Sequence, residues 1–269
     1  MRFKVLGPLE ASHDEQVCTP QAPKVRQVLA LLLLRSNQLV SIDSLVEELW
    51  GETPPHSAVT TTQTYIYQLR KATARLMGDE TGKKVIATNP LGYVFHVGDD
   101  QLDYHEFNTA MEEGAALMEQ GQHLQASERL SAALALWRDQ ALTDVAHGPL
   151  LQRYVTHLNE RYVSGLELRI QADMEVGRYR KLIPELSELV HAYPYNEWFH
   201  GQLMIALTQT GRRRDALHAY DHACRLLDQE LGLAPSANLQ IIHQSVLEAD
   251  VRGLPPRTPR PHPSFAQVN

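Results

Sequence analysis

The sequence predicts a mainly α protein with a small β component: an N-terminal winged helix-turn-helix followed by an all-α, tetratricopeptide-like helical domain. Three observations carry this prediction. In residues 1–97, short extended runs are followed by two compact helical patterns, a double proline, a longer helical pattern and a hairpin. Beyond Leu102 no alternation of period two persists. Gly177 and Gly211 lie 34 residues apart, and each introduces a similar helical pattern. The predicted organisation is a winged helix at 1–97, a linker at 98–102, a helical domain at 103–252 and a proline-rich tail at 253–269.

Residues 2–20 read as short strands, with Phe3 and Val5 on one face and "HDEQ" at 13–16 as a turn. From Pro23, a favourable first-turn residue, Val25, Val28, Leu29, Leu32 and Leu33 repeat at helical spacing. The run "LALLLL" at 29–34 is too short to span a bilayer and reads as a buried helix. "SNQLV" at 36–40 ends that helix. Ser41 then caps a second helix, with Ile42, Leu45, Val46 and Leu49 inward and Asp43 in the first turn. "GETPPH" at 51–56 is a loop, because adjacent prolines cannot sit inside a helix.

Ser57 caps the third helix. Val59, Thr62, Ile66, Leu69, Thr73 and Leu76 fall on one predicted inward face. The opposite face carries Thr60, Thr61, Thr64, Gln68, Lys71 and Arg75, with Tyr67 and Arg70 at its edges. "KVIATN" and "YVFHV", joined by "PLG", form a hairpin. Two short helices, a turn, a polar-faced third helix and a trailing hairpin make a winged helix-turn-helix.

In the remainder, Gly121, Gly177 and Gly211 are each followed at +5, +9 and +12 by small or apolar residues. These are Ala126, Leu130 and Ala133, then Leu182, Leu186 and Leu189, then Ala216, Tyr220 and Ala223. Pro194 closes one unit at +17. Small residues let paired helices approach, and glycine permits the sharp turn between them. Residues 140–170 read as a long connecting helix after a loop containing "GPL", and five prolines in 255–263 predict a flexible tail.

The net charge of −7 hides an asymmetry: residues 1–97 hold ten Lys/Arg against nine Asp/Glu, and the rest holds fifteen against twenty-three. A near-neutral head with clustered cations on an acidic body suits a nucleic-acid reader joined to a protein-binding part. No long apolar span and no signal-peptide core are present, which predicts a cytoplasmic protein without membrane contact, nucleoid-associated if the nucleic-acid reading holds. Cys18 and Cys224 have no metal or redox spacing. "GDETGKK" at 78–84 falls one residue short of a phosphate loop, and Lys84 stands where magnesium needs Ser or Thr. His218, His222 and Cys224 are explained by a repeat helix, and "GRRRD" at 211–215 by a cationic turn. The expectation is therefore no enzyme, no catalytic residue, no metal and no cofactor.

"PKVRQVLALLLLRSNQLVSIDSLVEELWGETPP", "QTYIYQLRK" and "NPLGYVF" together resemble the Streptomyces antibiotic regulatory proteins. The likeness runs from about residue 2 to 252. It implies an OmpR/PhoB-like winged helix and a bacterial transcriptional activation domain. It further implies activation of antibiotic or secondary-metabolite genes, binding to tandem direct repeats in double-stranded promoter DNA as a head-to-tail homodimer, and recruitment of RNA polymerase through its sigma factor. Carried over by position, Arg70 contacts base or phosphate and Lys71 contacts phosphate. Thr61, Thr64 and Gln68 are the base-edge candidates, with Thr60 and Arg75 on the same face. Lys83 and Lys84 flank the wing; Thr88 and Asn89 lie near its tip. Asn89 stands where related wings carry a basic residue, which favours a phosphate hydrogen bond over base reading. Trp50 and Glu52 mark the loop that relatives present to the sigma factor. The competing reading is a tetratricopeptide adaptor or signal-sensing module that does not read DNA.

Overall fold

The structure, a computed structural model, describes residues 1–14, 16–77 and 85–248. Lys83, Lys84 and the expected tail at 253–269 lie outside them. The chain forms two compact units, Met1–Ala172 and Asp173 onward.

The first unit opens with an antiparallel sheet of β1 (Arg2–Lys4), β2 (Glu10–His13) and β3 (Gln16–Val17). Helix α1 (Pro23–Leu34) has Pro23 in its first turn and is buried continuously from Gln27 to Leu34. β4 (Leu39–Ser41) precedes α2 (Ile42–Trp50), which Ser41 caps by accepting from the Ser44 N–H at 3.0 Å. After the proline loop comes α3 (Ala58–Met77) and then the hairpin of β5 (Ile86–Asn89) and β6 (Gly92–Phe95). β4 pairs with β6, so the hairpin is the outer part of a sheet ordered β4-β6-β5.

The run "SNQLV" at 36–40, expected only to end α1, supplies Leu39 and Val40 of β4, and the capping Ser41 is the third residue of that strand. Three residues between two helices are too few to display a period, and it is pairing with β6, more than fifty positions away, that makes them a strand. Val59 is also corrected: it is 46% exposed, and Ala58 occupies the inward position of the first turn. The long connecting helix starts at Pro149, later than expected, as α6 (Pro149–Glu175).

The same unit continues into α4 (Asp103–Glu119), α5 (His123–Leu134) and α6 up to Ala172. One hydrophobic core runs from Phe3, Leu32 and Phe95 through Phe107 and Leu130 to Leu151 and Val155. Phe3 meets Phe95 edge-to-face at 5.4 Å.

Two buried carboxylates fasten the winged helix to these helices. Glu48 of α2, 1% exposed, accepts from the backbone N–H groups of Gly148, Leu150 and Leu151 at 2.6, 2.9 and 3.0 Å. It thus satisfies orphan donors at the start of α6, where the helix dipole favours negative charge. Gln27 donates to the same carboxylate at 2.9 Å. A side chain at Gly148 would meet the Glu48 carbonyl at 2.0 Å, so this approach requires glycine. Asp103, in the first turn of α4, accepts from Val5 N–H at 2.8 Å and Leu6 N–H at 3.1 Å. Burial pushes its carboxyl up from 3.8 to about 6, against the lowering pull of the Val5 and Leu6 N–H groups, Arg138 and Tyr104 N–H.

The second unit packs α7 (Tyr179–Ala192), α8 (Glu197–Gln209), α9 (Arg213–Leu231) and α10 (Ala237–Glu248). Gly177 and Gly211 turn at φ 81° and 80°, and Gly121 in the first unit turns at 71°. These are left-handed conformations that side chains rarely adopt. Ala126, Ala133, Ala216 and Ala223 are buried, as the spacing predicts.

Candidate nucleic-acid interface

At 3.6 residues per turn, α3 buries Ala58, Thr62, Ile66, Leu69 and Thr73 along one side. The hydroxyls of Thr62 and Thr73 would be costly in a core, but each donates back to a carbonyl of the preceding turn: Thr62 to Ala58 at 2.9 Å, Thr73 to Arg70 at 3.0 Å. The buried stripe therefore leaves the opposite side bare. Thr60, Gln63, Thr64, Tyr67, Gln68, Lys71 and Arg75 are exposed there, and Thr61 is half-buried at its border. Lys71 and Arg75 form no ion pair with another described residue. The Thr64 hydroxyl donates to the Thr60 carbonyl at 2.9 Å, so outward it offers an acceptor oxygen and a methyl group.

Two members of this face were not among the predicted site residues. Tyr67, read from sequence as an edge position, is 64% exposed, and Gln63 lies beside it one turn earlier. The signal for both is angular: residues 60, 63, 64, 67 and 71 follow the i, i+3, i+4 rule on the polar side as faithfully as the core residues do on the other.

Arg70 is engaged within the protein. Its guanidinium donates to the Ile86 carbonyl, from Nε at 3.1 Å and Nη2 at 2.7 Å, and to Thr88 Oγ1 at 2.7 Å. Its Cζ lies 5.6 Å from the centre of the Tyr93 ring. The side chain thus ties the middle of α3 to both strands of the hairpin. At the tip, Asn89 Oδ1 accepts from the Leu91 N–H at 3.1 Å, which fixes the turn and leaves the Asn89 amide as its outward donor. Leu91 stands 69% exposed at that tip. Thr88 and Asn89 are exposed as well. A side chain at Gly92 would strike the Val40 carbonyl at 2.0 Å, so the β4–β6 pairing demands glycine there. "NPLGY" is therefore read mechanically: Asn89 sets the turn, Gly92 admits β4 and Tyr93 supports Arg70.

Trp50 is half-buried against the core, and Glu52 is exposed in the turn after Gly51, where φ is 59°. Among the described residues, no cluster of His, Cys, Asp or Glu is arranged to hold a metal ion, and no helix is long and apolar enough to cross a membrane.

Two family models match the chain: a transcriptional regulatory protein C-terminal model at residues 18–95 and a bacterial transcriptional activator domain at 102–247. Regulatory protein DnrI of Streptomyces peucetius is 40% identical over 253 residues, covering 93% of each chain. The chain belongs to the Streptomyces antibiotic regulatory proteins. Members of this family are transcriptional regulators rather than enzymes. Regulatory protein AfsR of Streptomyces griseus is 32% identical over 93% of this chain, which spans a quarter of that longer protein. The solved structure titled Mycobacterium tuberculosis EmbR in complex with low affinity phosphopeptide superposes with a TM-score of 0.86 at 32% identity. It covers 92% of this chain, and this chain covers 65% of it. The winged helix followed by a helical domain is thus the architecture of this family as well as of this chain.

Proposed function

We propose that this chain is a sequence-specific activator of antibiotic or secondary-metabolite genes that lays α3 in the major groove of promoter DNA. What supports the reading is the bare polar side of α3, whose core-facing stripe is fully occupied while Thr60, Gln63, Thr64, Tyr67 and Gln68 face outward. Threonine methyls suit thymine methyls, glutamine suits adenine, and hydroxyl oxygens accept from base amino groups. Lys71 and Arg75 neutralise phosphates on either side, and Asn89 donates to a phosphate at the wing. Arg70 acts through the hairpin: it holds the wing at a fixed distance from the helix. Trp50 supports the loop from which Glu52 meets the sigma factor of RNA polymerase. Two protomers occupy direct repeats head to tail.

Footprinting upstream of neighbouring biosynthetic genes, with and without RNA polymerase, tests this reading. Protection of two repeats in the same orientation, extended when polymerase is added, is the expected result. An electrophoretic shift that scrambled DNA competes away as well as cognate DNA would instead favour the adaptor reading. Glu52→Lys is expected to impair transcription while promoter binding stays intact; equal loss of both would reject the sigma contact.

A further inference from the structure

We propose that the second unit carries a small-anion pocket, one that takes a carboxylate or phosphate ester borne on a compact apolar body. A hollow of about 360 Å³ lies between α7 and the turn from α8 to α9. Arg180, Ile183 and Pro184 line it from α7, and Thr210 and Arg212 from the turn.

The charge in it points to the occupant. Arg180 is exposed and makes no hydrogen bond or ion pair with another described residue. Arg212 spends only Nε, on Asp215 at 2.7 Å, and its two terminal nitrogens have no partner among the described residues. Two arginines 32 residues apart in sequence, one on α7 and one on the turn, thus line one hollow. Asp215 already pairs with Arg212, but Arg180 has no acidic partner among the described residues and no acidic residue lines the hollow, so two cations face one carboxylate there. A planar fork of donors from each arginine matches the two oxygens of a carboxylate or the face of a phosphate.

The remaining walls define the rest of the ligand. Ile183 and Pro184 are apolar. The Thr210 hydroxyl donates back to the Ala206 and Leu207 carbonyls, both at 2.9 Å, so no donor proton is left for the anion. The two arginines hold the charged group, and the aliphatic wall takes an apolar body.

The test is titration calorimetry on the full chain with phenyl phosphate, benzoate, inorganic phosphate and benzyl alcohol. Phenyl phosphate or benzoate is expected to bind saturably, the tighter of the two naming the ligand class, and benzyl alcohol is expected not to bind. The double variant R180Q/R212Q, confirmed folded by circular dichroism, should weaken the organic anion at least about tenfold. Ile183→Ala should weaken phenyl phosphate without changing inorganic phosphate. No saturable binding by either organic anion, or equal binding by R180Q/R212Q, overturns the proposal. So does loss of promoter affinity in that variant without any organic-anion binding, which would assign this edge to DNA phosphate.

Discussion

Arg70 and Lys71 are neighbours in sequence with opposite situations. Arg70 is satisfied by Ile86, Thr88 and the face of Tyr93, whereas Lys71 points out beside Thr64 and Tyr67. Their replacement should therefore fail in different ways. Lys71→Ala is expected to lower the magnitude of the slope of log affinity against log salt by about 0.9, the loss of one phosphate contact. Arg70→Ala should reduce promoter affinity through a loosened wing while leaving that slope nearly unchanged, and Arg70→Lys should not restore it. Binding titrations across a salt series separate the two. Gly92→Ala is expected to destabilise the first unit by about 3 kcal/mol, because the new methyl must displace strand backbone at Val40 and not merely a side chain. At this scale the polar arc of α3 was legible, since helical spacing sorts Thr60, Thr64, Gln68 and Lys71 from Ile66 and Leu69 without any tertiary information. The hydrogen bonds of Arg70 to the hairpin were not. Nothing in a local window says that Ile86 will present its carbonyl 16 residues away.

Among the elements, α2 carries the least expected residue. A glutamate in "IDSLVEELW" reads as solvated, yet Glu48 is buried and receives three backbone N–H groups at the start of α6. Glu48→Gln turns an amide toward those donors and should cost about 2 kcal/mol, seen as a lower urea midpoint with an unchanged m-value. Gln27→Leu, which removes only one donor of the cluster, should cost less. Helices α1, α2 and α3 were legible because proline at Pro23, the cap at Ser41 and the double proline at 54–55 punctuate a clear apolar rhythm. β4 was not, because a three-residue strand has no rhythm and exists only by pairing. The glycines at 121, 177 and 211 announced their helical turns correctly, since their positive φ is a demand that sequence itself must meet.

Over the whole chain, acidity enters through buried groups. Asp103 binds its proton more tightly in the folded protein, at about 6, than a free aspartate does at 3.8. Its favourable contribution is thus fully present below 3.8 and is lost as pH rises through about 6. His105 acts in the opposite sense: burial lowers its pKa from 6.5, so its contribution is lost on acidification. The stability difference between wild type and Asp103→Asn isolates the first effect. It should shift toward the variant as pH rises from 3.8 to about 6 and level off above that, when urea unfolding is followed at each pH.

The core that joins Phe3 and Phe95 to Phe107, Leu130 and Val155, together with the Asp103 and Glu48 anchors, runs without interruption through the compact unit Met1–Ala172. A fragment ending at 97 would leave Glu48 without the backbone N–H groups it receives from Gly148, Leu150 and Leu151, and is expected to aggregate, while a fragment ending at 172 is expected to unfold in a single transition. Anyone grafting the promoter preference of one such regulator onto another should accordingly place the splice inside the long helix, near Ala172. Chimaeras joined just after the wing would inherit mismatched halves of a shared interior.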